Sequence, residues 1–222
     1  MVPATTVPGA HSLTRRVLRP LLRTWLRVRA EGAGHVPADG PVLIAATHRS
    51  HADSVALALA AVRPVHFLGD LALTRTPLLG PLLPRLGMVP LRRGEVDTGA
   101  LDVVRHLLGD GHAVVVYPEG SRSRDGTVHR LRSGVARVAA ELQVPVVPAG
   151  LEGIERAWPV GRRPRLTGAR VTVRFGPPFA PPADAPKARR TFNLELQERL
   201  SVLSRSPMVD TFAPVGGGEA GA

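Results

Sequence analysis

From His35 onward, short apolar runs alternate with stretches of helical period. The apolar runs over 42–46, 65–68, 88–91, 113–117 and 146–150 are candidate strands. The run over 171–175 sets Val171, Val173 and Phe175 between polar residues and predicts a strand half-exposed near a sheet edge. Helices are predicted at 54–62, 71–85, 98–109 and 133–142, and Asp184 is placed to cap a last one ending near Ser204. This alternation predicts a single α/β domain over residues 31–205, a mixed and largely parallel sheet flanked by helices. Ahead of it, residues 1–12 read as a loose leader and 13–30 as a basic amphipathic helix. Leu13, Val17, Leu18, Leu21, Leu22, Trp25 and Val28 share its broad apolar face, opposite Arg16, Arg19, Arg23 and Arg27. The tail over 206–222, with Gly216-Gly217-Gly218, reads as disordered. The apolar segment 76–84, broken by Pro77, Pro81 and Pro84, fits either a buried connection or a surface dipping into lipid.

Charge narrows the partners. The net charge is +11, and with Lys187 the only lysine the basicity is arginine, whose planar fork suits phosphate and carboxylate. Such a balance fits nucleic acid, anionic lipid or a phosphorylated substrate. Aromatic residues at 4% are too few for base-stacking platforms, so no nucleic-acid partner is expected. The chain has no cysteine, which excludes disulfides and thiol catalysis and fits the cytoplasm. No apolar run reaches the roughly 18 residues of a membrane span; the basic helix fits either packing on the domain with a solvated arginine face or a lipid interface, and with the net charge it leads us to expect peripheral attachment to an anionic membrane surface.

The candidate chemistry lies in His48-Arg49-Ser50-His51-Ala52-Asp53, at a junction between strand and helix. On one continuous helix, residues five apart point roughly 140° away from each other. His48 and Asp53 can therefore meet only if His48 occupies the turn and Asp53 the first helical turn. There a carboxylate would fix the imidazole tautomer and leave the second nitrogen as a base. Neither Ser50 nor Ser54 lies in a Gly-x-Ser-x-Gly elbow, so the nucleophile is expected to be a substrate hydroxyl. Two rivals stand beside this reading: a metal-dependent hydrolase using His48, His51 and Asp53, and a non-catalytic module whose arginines only bind phosphate.

Three further segments accompany the His48/Asp53 block: Gly87-Met88-Val89-Pro90-Leu91-Arg92-Arg93-Gly94, Tyr117-Pro118-Glu119-Gly120-Ser121-Arg122-Ser123 and Val144-Pro145-Val146-Val147-Pro148-Ala149-Gly150. In this order and spacing they resemble the four blocks of the glycerolipid acyltransferases, which include the bacterial 1-acyl-glycerol-3-phosphate acyltransferases. The resemblance runs from about Val36 to Phe179. It implies that His48 is the general base on an acceptor hydroxyl and Asp53 its orienter. It also implies an acyl thioester donor, acyl-coenzyme A or acyl-carrier protein, and a lysophospholipid acceptor, with no cofactor and no metal. The substrate site it implies comprises Gly87, Arg93, Glu119, Gly120, Ser121 and Arg122. Because a carboxylate beside a phosphate would repel it, Glu119 is expected to bond a hydroxyl or a neighbouring arginine. Thr47, Tyr117 and Ser121 stand where the family often has asparagine, phenylalanine and threonine.

Overall fold

The computed structural model describes residues 20, 22, 24–75, 80–91, 99–165 and 168–214. Its strands are β1 (Leu26–Glu31), β2 (Val42–Ala46), β3 (Val65–Asp70), β4 (Met88–Leu91), β5 (Ala113–Val116), β6 (Val146–Glu152) and β7 (Ala169–Phe175). Its α-helices are α1 (Asp53–Ala60), the one-turn α2 (Leu82–Arg85), α3 (Ala100–Gly109), α4 (Gly134–Leu142) and α5 (Pro186–Ser204). The strands form one sheet in the order β1-β7-β6-β2-β5-β3-β4. Every described pair is parallel except β6 with β7. The sheet is thus mixed and largely parallel, as the alternation predicts.

All five residues of β2 are buried, because helices cover both sheet faces. Val42, Ile44 and Ala46 point into the layer holding α1, while Leu43 and Ala45 point to α3, α4 and α5. Since β2, β3, β4 and β5 run parallel, their carboxyl ends share one edge of the sheet, the edge where open α/β sheets gather their sites.

Three expectations are corrected. Leu26–Glu31 is a strand rather than the end of a helix, and it pairs in parallel with β7, Val28 opposite Val171. Its Leu26, Val28 and Ala30 follow a period of two, only Val28 of the three lies on the predicted helical face, and the edge of β7 supplies the partner the strand needs. Residues 20, 22, 24 and 25 are helical, and residues 13–19, 21 and 23 of the predicted basic helix lie outside the described residues. β7 lies half-exposed and next to the edge strand β1, as its alternation predicts. The helix expected over 71–85 is instead a 3-10 turn at Leu71–Arg75 and the short α2, whose N-cap is Pro81; residues 76–79 lie outside the described residues. Asp184 does not cap α5: the N-cap is Ala185, Pro186 opens the helix, and Asp184 pairs with Arg189.

Of the tail expected to be disordered, residues 206–214 are ordered, and residues 215–222 lie outside the described residues. Val209 N–H donates to Val128 C=O at 3.0 Å, and Arg130 N–H to Thr211 C=O at 2.9 Å. The buried Gln197 amide, on α5, donates to Val209 C=O at 2.9 Å, and Ala213 is buried. No described helix is long and apolar enough to cross a membrane.

Candidate active site

Beyond β2, Thr47 anchors the chain to β6: its N–H donates to Ala149 C=O at 3.1 Å, and its hydroxyl oxygen accepts Leu151 N–H at 3.1 Å. His48 then leaves the sheet, and Asp53 is the first residue of α1. Asp53 Oδ2 accepts three hydrogen bonds, from His48 Nδ1 at 2.7 Å, Arg49 N–H at 2.7 Å and Ser50 N–H at 2.9 Å. The carboxylate is wholly buried. An acceptor in that position requires Nδ1 to carry the proton, so Nε2 is the basic nitrogen. The His48 side chain keeps 16% of its surface open to solvent.

The loop after β5 fixes the rest of His48. The Tyr117 ring stacks on the imidazole with centroids 3.8 Å apart and planes 13° apart. Its hydroxyl hydrogen-bonds Ser54 Oγ at 2.7 Å, which ties the stack to α1. Burial, and then the charge of Asp53, push the Tyr117 phenol well above its ordinary pKa, so it stays neutral; the Ser54 bond and the Arg122 charge pull the other way. Ser123 N–H donates to His48 C=O at 2.8 Å.

Glu119 completes the clamp. Its side chain has no exposed surface. Oε1 accepts His48 N–H at 3.2 Å and Oε2 accepts His129 N–H at 3.0 Å. Burial raises its pKa to about 7 against the opposing pull of those two backbone bonds. The bond to a hydroxyl or arginine side chain expected of Glu119 is thus replaced by two bonds to backbone N–H groups, and a buried carboxylate so occupied holds the loop. Asp125 Oδ1 pins the next turn, accepting Ser123 Oγ at 2.9 Å and Thr127 N–H at 3.0 Å. Thr127 N–H is the main reason the Asp125 carboxyl lies below the usual carboxylate range. The nearly buried Arg49 reaches the same turn, donating to Gly126 C=O at 2.9 Å.

The sequence model of the acyltransferase family matches residues 27–152, more than half of the chain. This chain belongs to the acyltransferase family. It is 31% identical over 152 residues to a chloroplastic 1-acyl-sn-glycerol-3-phosphate acyltransferase of Arabidopsis thaliana, a match covering 66% of this chain and 42% of that one. It is 27% identical over 187 residues to the 1-acyl-sn-glycerol-3-phosphate acyltransferase alpha of Ovis aries, covering 80% of this chain and 64% of that one. The chain therefore spans less than half the length of the plant relative. In structure it is similar to the 1-acyl-sn-glycerophosphate acyltransferase PlsC of Thermotoga maritima, with a TM-score of 0.66 and 26% identity over 86% of this chain and 76% of that one.

Within this acyltransferase fold the predicted site residues divide. His48, Asp53 and Glu119 come together at the carboxyl ends of β2 and β5, and Arg122 lies near enough to Tyr117 for its charge to act on the phenol. Gly120, with φ +78°, sits against Arg132, whose Nε would lie 2.4 Å from an added Cβ. Ser121 Oγ donates to Pro214 C=O at 3.0 Å, joining the loop to the C-terminal segment. Gly87 is buried, with φ +102°, and an added Cβ would lie 2.1 Å from Val65 C=O. That position serves the packing of β4 on β3. Arg93 lies outside the described residues. His51 turns toward Trp158, its ring centroid 5.2 Å from the indole, and no group of three or more metal-ligating side chains occurs among the described residues. Sequence reasoning missed the Tyr117 stack, the Ser54 bond and the Ser123 bond; the serines carried no signal, and Tyr117 showed only as a departure from the family's phenylalanine.

Proposed function

We propose that this chain transfers an acyl group from an acyl thioester to the hydroxyl of a lysophospholipid, 1-acyl-glycerol-3-phosphate being the acceptor. The observation that carries the reading is the 2.7 Å bond between His48 Nδ1 and a buried carboxylate, on an imidazole that keeps solvent access. His48 Nε2 takes the proton of the acceptor hydroxyl as that oxygen attacks the thioester carbonyl carbon. The resulting imidazolium is stabilised at close range by the buried carboxylate of Asp53. Collapse of the tetrahedral intermediate breaks the C–S bond, and His48 returns the proton to the leaving sulfur. The products are an ester and a free thiol. No water and no protein nucleophile enter the balance.

Arg122, beside Tyr117, and Arg93, beyond β4, are the residues we assign to the acceptor phosphate, through charge-assisted bonds. The names of the curated relatives support this acceptor. Coenzyme A is the proposed carrier of the donor. The net charge of +11 supports a protein working peripherally on an anionic membrane surface from the cytoplasmic side; a liposome sedimentation assay should show binding that rises with anionic lipid and falls with salt, and salt-independent binding would count against it.

The decisive experiment is His48→Ala, assayed by free-thiol release from a long-chain acyl-coenzyme A with lysophosphatidate as acceptor. A positioned general base supplies about 10²–10⁴-fold, so kcat should fall by at least that factor while circular dichroism stays unchanged. Near-normal turnover in this variant would remove the mechanism.

A further inference from the structure

The C-terminal segment, folded back along α5, forms one wall of a cavity of about 640 Å³. Arg130, Arg189 and Arg190 line it together with Phe212, which is 50% exposed. The Arg130 guanidinium lies 5.0 Å from the Phe212 ring centroid and that of Arg132 lies 5.7 Å from it. Two carboxylates offset this charge in part: Asp184 pairs with Arg189, and Asp210 stands 3.8 Å from Arg130 Nε. Four guanidiniums against two carboxylates leave a net positive groove around an accessible aromatic ring.

The groove backs onto the catalytic loop. Arg130 follows His129, whose N–H is held by Glu119, the residue that also holds His48. Arg132 packs on Gly120, and Ser121 bonds Pro214. A ligand seated here would therefore lie against the outer wall of the active site.

We infer that this groove docks the phosphorylated nucleotide end of the acyl donor, the 3′-phosphate and diphosphate of a coenzyme A thioester lying on the arginines and its adenine on Phe212. The inference deepens the acyl-transfer reading above and rests on it for the identity of the donor. Guanidinium forks match phosphate oxygens two at a time, and an exposed aromatic face is what a nucleobase stacks upon. The volume falls within the range of small-molecule sites, roughly 300–1,000 Å³. A concave site of that size favours a nucleotide over the convex helix of a carrier protein. A lipid headgroup would engage the arginines but has no base for Phe212.

The test uses the full chain with Arg190→Gln and Phe212→Ala, singly and together, after melting curves confirm their stability. In the double variant the KM for acyl-coenzyme A should rise about tenfold, with kcat and the KM for lysophosphatidate unchanged. Adenosine 3′,5′-bisphosphate should inhibit the wild type competitively against acyl-coenzyme A, and titration calorimetry should show its binding lost in the double variant. Unchanged KM and unchanged bisphosphate binding would overturn the inference. So would a wild type that uses only acyl-carrier protein, or variants that lose only binding to anionic vesicles; acyl transfer would survive each of these results. If no thioester were consumed by the wild type, the proposed function would fail, while groove-dependent bisphosphate binding would still establish a nucleotide site. Should the double variant melt early, Arg190→Gln alone, at an exposed position, reads the same KM effect.

Discussion

Replacing Glu119 with glutamine separates what this residue does for stability from what it does for His48. The carboxyl is wholly buried and its pKa is raised to about 7 from 4.5, mainly by burial. A folded-state value above the unfolded one means that the folded protein binds the extra proton between those limits. Glu119 therefore costs nothing below about pH 4.5, and its contribution turns against folding as pH rises through 7. A shift of about 2.5 units at 1.36 kcal/mol each is about 3 kcal/mol. Glutamine has nearly the same shape and does not titrate. The variant should match the wild type near pH 4.5 and be about 3 kcal/mol more stable at pH 8, roughly 6–12 °C in melting temperature for a chain of this size.

Activity should move the other way. At pH 8 the carboxylate offers an acceptor to both His48 N–H and His129 N–H, whereas glutamine turns an NH₂ toward one of them. A donor facing a donor loosens the turn that carries His48, and kcat should drop about tenfold with the KM for acceptor little changed. Urea unfolding at pH 5 and pH 8, paired with thiol-release kinetics, reads both effects. A stability difference that does not change with pH would refute the burial argument. Full activity in the glutamine variant would refute the positioning role.

Two other substitutions probe the same site. Asp53→Asn can keep an acceptor on His48 Nδ1 and place its NH₂ where Oδ1 now has no hydrogen-bond partner among the described residues. It loses only the charge that stabilises the imidazolium, so kcat should fall roughly 10³-fold with the fold intact, and a loss below threefold would deny Asp53 that role. Tyr117→Phe keeps the stack on His48 and loses the Ser54 bond; it should cost about 1 kcal/mol and leave kcat within twofold. Tyr117→Ala removes the stack and should cost more than tenfold in kcat, and equal kinetic losses in the two variants would show that the ring itself does not hold His48.

The strands were legible where both faces are buried. Val42-Leu43-Ile44-Ala45-Ala46 and Ala113-Val114-Val115-Val116 admit no amphipathic alternative, and both are strands. Leu26–Glu31 was not legible, because the helical pattern ahead of it runs on to Val28, six residues of alternation are a weak signal, and the strand's partner is the distant β7. The C-terminal segment hid for a similar reason: its order comes from the backbone of Val128 and Arg130, not from its own composition. His48 and Asp53 could be read together because their spacing across a helix start leaves one geometry in which they touch. Glu119 could not, since the N–H groups that occupy it come from residues separated from it by 71 and 10 positions.

Why these loops meet at all is a matter of register. β2 pairs with β5 in parallel, with Ala45 opposite Val116, so the chain beyond each strand emerges at the same height on adjacent tracks. Tyr117 then lies beside the residues following Ala46, and its ring can reach the imidazole with no long loop between them. A slip of one residue in this pairing would move Tyr117 to the other face of the sheet and take both the stack and the Glu119 clamp from His48. The slip is opposed on both sides of β2, because Leu43 and Ala45 are buried against one helical layer and Ile44 against the other. Any such slip would expose one set while jamming the other. The same apolar side chains that bury the sheet thus fix the height at which the base is presented, and the catalytic loops need supply only the local hydrogen bonds.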